Sequence, residues 1–331
     1  MRLLITGGAG FIGAALIRYL LRTTDYEIIN LDALTYAVDT EALAGVADNP
    51  RYHFIHGDVC DAALLAHIFN EHAPDAVLHL AAESHVDRSI DAPDVFVTTN
   101  INGTYELLVA AYRYWQTLTG SARDQFRFLQ VSTDEVYGSL PAPEIVTEAT
   151  AFAPASPYAA SKAAADHLVA AWHTTYGLPT LITHGANTYG PFQHAEKLIP
   201  RMIEAALGGQ TLPIYGAGDQ IRDWLHVDDH AAAIGRVLTA GTPGCRYNVA
   251  AGEPRTNLDL VHALCAVVDE HAPATAPAAA RIRHVADRPG HDQRYAMNTA
   301  RIRQALGWQP QIRLSHGLAD LVAWHVARRA D

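Results

Sequence analysis

Eight residues near the start of the chain, Thr6-Gly7-Gly8-Ala9-Gly10-Phe11-Ile12-Gly13, constrain its fold more than any other segment. They join an apolar run, Arg2 to Thr6, to a helical pattern from Ala14 to Leu21. Glycines in such a loop allow a tight turn and a close approach of backbone to a pyrophosphate. The helix that follows offers free N–H groups and the positive end of its dipole. Gly7, Gly10, Phe11, Ile12 and Gly13 are therefore the expected cofactor contacts of the loop. Asp32 follows a second strand pattern, Glu27 to Leu31. A carboxylate there accepts from both ribose hydroxyls and repels a 2′-phosphate, which selects NAD over NADP.

Beyond the loop, two periodicities alternate. Strand patterns at Tyr52 to His56, Ala76 to Ala81, Arg127 to Ser132 and Thr180 to Thr183 are interleaved with helical patterns at Asp61 to Glu71, Asn102 to Trp115 and Ser156 to Tyr176. This rhythm predicts an α/β fold with a doubly wound parallel sheet of the Rossmann type. The strands are apolar along their length, as burial on both faces requires. After about residue 188 proline and glycine become frequent and charged loops appear. Residues 1–187 are expected to form the NAD-binding domain, and residues 188–331 mainly a smaller α/β lobe that binds substrate. Some later segments are expected to fold back onto the first domain. A length of 331 residues suffices for one large or two modest domains. His271 to Ala280, rich in alanine and proline, is expected to be an exposed loop.

Composition narrows the partners. A formal charge of -11 argues against nucleic acid, whereas a small phosphorylated ligand needs only a few local arginines. No run of eighteen apolar residues predicts a membrane span, and no signal peptide is read at the N-terminus, so a cytoplasmic protein is expected. Cys60, Cys245 and Cys265 have no CxxC spacing and read as reduced thiols. His226 and His230 stand four apart without an HExxH motif, and no metal is expected. Asp228 or Asp229 reads as a helix cap before Ala231-Ala232-Ala233-Ile234. Lysine occurs only at Lys162 and Lys197 among 24 lysine and arginine residues. Both positions are candidates for a compact point charge of adjustable pKa.

Lys162 belongs to Tyr158-Ala159-Ala160-Ser161-Lys162, where a spacing of four puts tyrosine and lysine on one helix face. An ammonium there stabilises a phenolate, so that Tyr158 serves as a base for a sugar hydroxyl while the carbon beneath gives hydride to NAD. Ser132-Thr133-Asp134-Glu135-Val136-Tyr137-Gly138 ends the strand from Arg127, at the carboxyl edge where ligands bind. Thr133 completes a Thr-Tyr-Lys set. Asp134 and Glu135 match the needs of an elimination of water. Oxidation at sugar carbon 4 acidifies the hydrogen on carbon 5; one carboxylate removes it, and one carboxylic acid protonates the leaving hydroxyl on carbon 6. Adjacent like charges push one pKa up and leave an acid available near neutrality.

The Gly-x-x-Gly-x-x-Gly spacing resembles that of extended short-chain dehydrogenases. In that family an aspartate placed like Asp58, in Gly57-Asp58-Val59, meets the adenine, and Leu80-Ala81-Ala82 lines the cofactor cleft. Asp58, Val59 and Ala81 thus join the expected contacts, with Tyr158 and Lys162. From Met1 to about Trp308, the segments TGGAGFIG, LAAESHVDRSI, STDEVYG, SPYAASK, NTYGP, EKLIP, GDQIRDWL and DRPGHDQRYAMN occur in the order that resembles dTDP-glucose 4,6-dehydratases. The Asp-Glu pair is the feature that epimerases and decarboxylases of this scaffold usually lack. The resemblance implies an NAD-dependent lyase that turns an NDP-glucose, dTDP-glucose before others, into a 4-keto-6-deoxy sugar nucleotide. By that resemblance Tyr158 acts on the carbon 4 hydroxyl, Glu135 on the carbon 5 proton and Asp134 on the departing hydroxyl. Hydride returns to carbon 6, and the cofactor ends as it began.

The same resemblance implies substrate contacts. Ser84 and His85 would lie near the hexose, and Asn187 at the sugar or diphosphate. Lys197 and Leu198 lie in EKLIP. Arg222 and Arg288 would clamp phosphate in the bidentate manner suited to guanidinium. Pro213 and Tyr215 would shape and stack the base, with Asn257 and His291 as further candidates. The helices from Asn102 and Ser156 resemble the pair that forms a four-helix homodimer interface. The chain departs from longer members in a short stretch from Gly138 to Ala155 and a short tail, which leaves uridine and cytidine sugars open beside thymidine. Two rivals stand: an epimerase or decarboxylase, which needs Tyr158 and Lys162 but not the acid pair, and a non-catalytic NAD sensor, which needs neither.

Overall fold

Six strands form in chain order up to residue 185 of the computed structural model, which describes residues 1–330: β1 (Arg2–Thr6), β2 (Glu27–Asp32), β3 (Tyr52–His56), β4 (Ala76–His79), β5 (Arg127–Thr133) and β6 (Thr180–Gly185). Six more follow: β7 (Asn187–Tyr189), β8 (Leu212–Tyr215), β9 (Ile221–His226), β10 (Arg246–Val249), β11 (Pro254–Thr256) and β12 (Ile282–Val285). The helices are α1 (Phe11–Thr23), α2 (Ala62–His72), α3 (Val86–Asp91), α4 (Pro93–Phe96), α5 (Thr104–Thr117), α6 (Gly120–Gln125), α7 (Pro157–Tyr176), α8 (Leu198–Leu207), α9 (Val227–Ala240), α10 (Asn257–His271), α11 (Ala300–Leu306) and α12 (Leu314–Ala330).

The main sheet has seven strands, all parallel, in the order β10-β6-β5-β4-β1-β2-β3. It is the doubly wound α/β sheet expected from the sequence. Along β1, Leu3 and Ile5 pack with Leu16, Ile17, Ile234 and Val237 of α1 and α9. Leu4 points the other way, to Ile68, Leu107 and Val169 of α2, α5 and α7. Helices cover both faces, so alternate residues are equally apolar and the strand reads as one continuous run. The strand order reverses between β1 and β4, and there a cleft opens beyond the carboxyl ends.

A second core gathers Ile199, Ile203, Trp224, Leu264 and Leu318, from β9 and helices α8, α10 and α12. Two small sheets, β11-β9-β7 and β12-β8, accompany it. The chain beyond residue 188 also returns to the first unit. Strand β10 extends the main sheet beside β6, and α9 lies against α1.

Several local details differ from the sequence reading. The helix expected from Asn102 is preceded by a wide π-type stretch, Val97–Gly103, and the α-helix proper starts at Thr104. The cap of α9 is His226, whose Nδ1 accepts from Asp228 N at 3.2 Å, rather than Asp228 or Asp229. Asp229 is drawn away to accept from the N–H groups of Gln311 (3.0 Å) and Ile312 (2.8 Å). The segment expected to be an exposed loop, His271 to Ala280, includes the end of α10 and two 3-10 turns and buries Ala278. No helix among the described residues is long and apolar enough to cross a membrane.

Candidate active site

The cleft encloses about 1740 Å³ of empty space, its mouth included. Gly7, Gly10, Phe11, Ile12, Gly13, Asp32, Asp58, Val59 and Ala81 all line it. Two of the glycines are required by the protein's own packing. Gly7 has φ +72°, and a Cβ there would lie 2.5 Å from Ala81 N; one on Gly13 would lie 2.2 Å from Gly7 O. Gly10 differs, for the nearest protein atom to a Cβ there is Gly7 O at 3.3 Å. Its bareness leaves room at the N-terminus of α1, which has no side-chain cap among the described residues and no acid in its first turn. Asp32 accepts from Ala9 N and Leu34 N, both at 2.8 Å, one on each carboxylate oxygen. Each oxygen keeps a second lone pair for a hydroxyl. A bare cradle, an uncapped helix end and an oriented carboxylate fit the pyrophosphate and ribose of a dinucleotide.

Beside this half, β5 ends in Thr133, whose hydroxyl accepts from Glu135 N at 3.3 Å and caps the 3-10 turn Asp134–Tyr137. Gly138 closes the turn at φ +75°, where a Cβ would lie 2.1 Å from Ala153 O. Across the cleft, α7 starts on Ser156, whose hydroxyl accepts from Ala159 N at 3.1 Å, with Pro157 in its first turn. That start places Tyr158 and Lys162 on the cleft wall with Thr133, Asp134 and Glu135.

The two carboxyl groups meet different surroundings. Asp134 is buried, and its Oδ2 has no hydrogen-bond partner among the described residues. Burial, and then the neighbouring Glu135, hold its carboxyl well above the usual range, against the pull of Arg222. Repulsion between the pair is thus the second cause, after desolvation. Glu135 is also raised by burial, but Lys197, Arg288 and Arg222 all act to keep it ionised. The Tyr158 hydroxyl is pushed up by burial and then by Glu135, while a hydrogen bond with Thr133 opposes them. Lys162 donates from Nζ to Val131 O at 2.9 Å and is lowered by burial, with Asp166 opposing.

The expected substrate residues fall into two groups. Ser84, His85, Asn187 and Lys197 line the same cleft. Lys197 Nζ donates to Ser84 O at 2.9 Å, and His85 Nδ1 and Asn187 Oδ1 are buried without partners among the described residues. Leu198, Pro213, Tyr215, Arg222, Asn257, Arg288 and His291 lie outside that lining. Arg222 donates to the carbonyls of Ile221 (2.8 Å) and Asp292 (2.7 Å) and stacks on the Tyr295 ring at 4.2 Å. Arg288 holds Asp87 Oδ1 at 2.8 Å, and Tyr215 Oη reaches the other oxygen of Asp87 at 3.3 Å. His291 pairs with Asp287 at 2.7 Å, and its ring stands edge-on to Tyr215. Leu198 opens α8 against the second core, Pro213 is half-buried in β8, and Asn257 begins α10 with its Oδ1 unpartnered.

Sequence reasoning missed Tyr36, Thr99, Gln193, His194 and His230, which also line the cleft, and Asp87 and Tyr295, which organise the two arginines. Asp87 and Tyr295 lie within LAAESHVDRSI and DRPGHDQRYAMN, so a signal was present; Tyr36 lies in no such segment.

Comparison with known proteins agrees with this geometry. Residues 4–321 match the model of the GDP-mannose 4,6-dehydratase family. The chain is 52% identical over 336 residues to dTDP-glucose 4,6-dehydratase 1 of Escherichia coli K12, covering 99% of this chain and 93% of the relative. The solved structure of DesIV, a dTDP-glucose 4,6-dehydratase of Streptomyces venezuelae with NAD bound, superposes with a TM-score of 0.89 at 44% identity, covering 100% of this chain and 98% of that one. A UDP-glucose 4-epimerase from Thermus thermophilus, in complex with NAD, gives 0.85 at 29% identity, covering 98% of each chain.

Proposed function

The chain belongs to the GDP-mannose 4,6-dehydratase family, and from that premise we propose that it is an NAD-dependent hydro-lyase converting dTDP-glucose to its 4-keto-6-deoxy product. The observation that carries the reading is the unequal pair beside Tyr158: Asp134, buried with an unpartnered oxygen and its carboxyl raised by burial and by Glu135, and Glu135, where Lys197, Arg288 and Arg222 oppose the rise that burial causes. Elimination needs one carboxylic acid and one carboxylate within reach of adjacent carbons. Bound NAD supplies the hydride acceptor for carbon 4 and the donor for carbon 6. Gly7, Gly10, Phe11, Ile12, Gly13, Asp32, Asp58, Val59 and Ala81 would hold it. Tyr158 takes the carbon 4 hydroxyl proton, with Thr133 orienting its oxygen. Lys162, one turn along α7 from Tyr158 and held by Val131 O, would supply the ammonium that favours the phenolate. Glu135 removes the carbon 5 proton, Asp134 protonates the leaving hydroxyl, and Glu135 gives a proton back to carbon 5 as carbon 6 receives hydride. Ser84, His85, Asn187 and Lys197 face the hexose. Leu198, Pro213, Tyr215, Arg222, Asn257, Arg288 and His291 bind the nucleotide, with Arg288 exchanging Asp87 for a phosphate.

The test is mass spectrometry after incubation with dTDP-, UDP- and CDP-glucose, without added NAD. Loss of one water from the dTDP sugar alone is expected. Loss from another nucleotide would keep the chemistry and change the substrate. No conversion after NAD is supplied would favour an epimerase or decarboxylase of another sugar. The same reading takes residues 1–187 as the cofactor domain and 188–331 mainly as the substrate lobe. Its free Cys60, Cys245 and Cys265 suit the cytoplasm. Two copies are taken to pair through α5 and α7.

A further inference from the structure

Behind the acid–base turn lies a buried polar cluster that the chemistry above does not use. Asp166, one helical turn beyond Lys162 on α7, is fully buried. Its Oδ2 accepts from Ser132 Oγ at 2.7 Å and faces Nε2 of the equally buried His184 on β6 at 3.1 Å. The other ring nitrogen of His184 meets Tyr137 Oη at 3.0 Å, and Tyr137 donates to Asn248 Oδ1 of β10 at 2.9 Å. Ser132 directly precedes Thr133, and Tyr137 ends the turn that carries Asp134 and Glu135. Both ends of the segment from Ser132 to Tyr137 are therefore tied by side chains to one node shared by α7 and β6.

We propose that Asp166 and His184 are positioning residues, which fix the register of this turn so that Asp134 and Glu135 meet carbons 6 and 5 of the bound hexose. Neither touches substrate. An apolar set of similar volume would stabilise the core at least as well as a buried polar cluster, which points to placement as what the node adds. Asp166 Oδ1, buried and without a partner among the described residues, shows that the node is not arranged for full hydrogen bonding. The inference rests on the elimination roles proposed for Asp134 and Glu135. A competing route runs from Asp166 to Lys162 and Tyr158, whose proton affinities its charge also raises. That route would affect oxidation at carbon 4 instead.

The two routes separate by isotope effects. Wild type, Asp166→Asn, Tyr137→Phe and Ser132→Ala are each given dTDP-glucose, unlabelled or deuterated at carbon 4 or carbon 5. If the node positions the turn, kcat of Asp166→Asn falls roughly a hundredfold, as for a displacement of about 1 Å at a reacting group. KM stays unchanged, the carbon 5 isotope effect rises, and the carbon 4 effect does not. Tyr137→Phe and Ser132→Ala, each losing only a hydroxyl, shift the same isotope effect in the same direction. Should Asp166→Asn fail to fold by near-UV circular dichroism, those two variants decide by that criterion. A rise in the carbon 4 effect, or variants that match wild type, would overturn the inference alone. A wild type that converts no dTDP-glucose would instead overturn the functional reading on which it rests.

Discussion

Asp134 and Glu135 are neighbours in sequence, yet one is buried with an unpartnered oxygen and Arg222 as the cation that favours its ionised form, while the other has Lys197 and Arg288 besides Arg222. Removing either should lower kcat by roughly 10²- to 10⁴-fold, the range of general acid–base catalysis. For Asp134 the stability effect also has a sign. Its folded-state proton affinity lies above the ordinary 3.8, so between that value and the raised one the native state holds a proton that the unfolded chain has lost. Stability therefore falls as pH rises through the window. Asparagine does not titrate, so the melting temperature of Asp134→Asn should gain on wild type between pH 4 and pH 8. A difference that stays flat across calorimetric scans in this range would refute the assignment. The glycine loop separates two further effects. Gly7→Ala forces a side chain into φ +72° and onto Ala81, and should cost about 1–3 kcal/mol of stability. Gly10→Ala meets only Gly7 O at 3.3 Å, so it should melt near wild type yet lose NAD, read from the absorbance of the nucleotide released on denaturation.

Most elements were legible because their periodicity is local. The run from Arg2 to Thr6 is apolar throughout because helices cover both faces of β1. The π-type stretch Val97–Gly103 was not legible, because what holds it comes from elsewhere. The Asn100 amide donates to Glu83 O (3.0 Å) and Ser161 Oγ (2.8 Å) and accepts from Glu83 N (2.8 Å). A Cβ on Gly103 would lie 2.5 Å from Val59. No window of neighbouring residues contains those partners. The same is true of the α9 cap, where the N–H groups of Gln311 and Ile312 claim the aspartate that local statistics favour. Asn100→Ala would leave the buried groups at Glu83 unpaired and should cost roughly 1–3 kcal/mol in denaturant titration. Because Ser84 and His85 follow Glu83 directly, KM for the sugar nucleotide should rise as well; an unchanged KM would show that the stretch only supports the fold.

At the scale of the whole molecule, the cofactor half of the site was readable because its loops all leave the carboxyl ends of consecutive parallel strands. The nucleotide half was less so, since its charges are paired across the chain: Arg288 meets Asp87 from 201 residues away. The dimer proposed above would use the side that carries α5 and α7. These helices pack on each other, and Tyr105 stands edge-on to Trp172. Val97, Tyr105 and Tyr176 remain 48%, 44% and 47% exposed. Scattered apolar residues are normal on a protein surface, and in the proposed dimer Tyr105 of α5, Tyr176 at the end of α7 and Val97 in the π-type stretch before α5 would be the side chains covered. A two-fold axis beside that pair would bring two helices from each copy together and cover the same patch on both. Light scattering should thus give a mass twice that of the 35.8 kDa chain. Introducing charge with Val97→Asp and Tyr105→Glu should reduce it to that of one chain. A wild type that already scatters as a single chain at micromolar concentration would mean that these side chains face water, and that α5 and α7 serve the sheet alone.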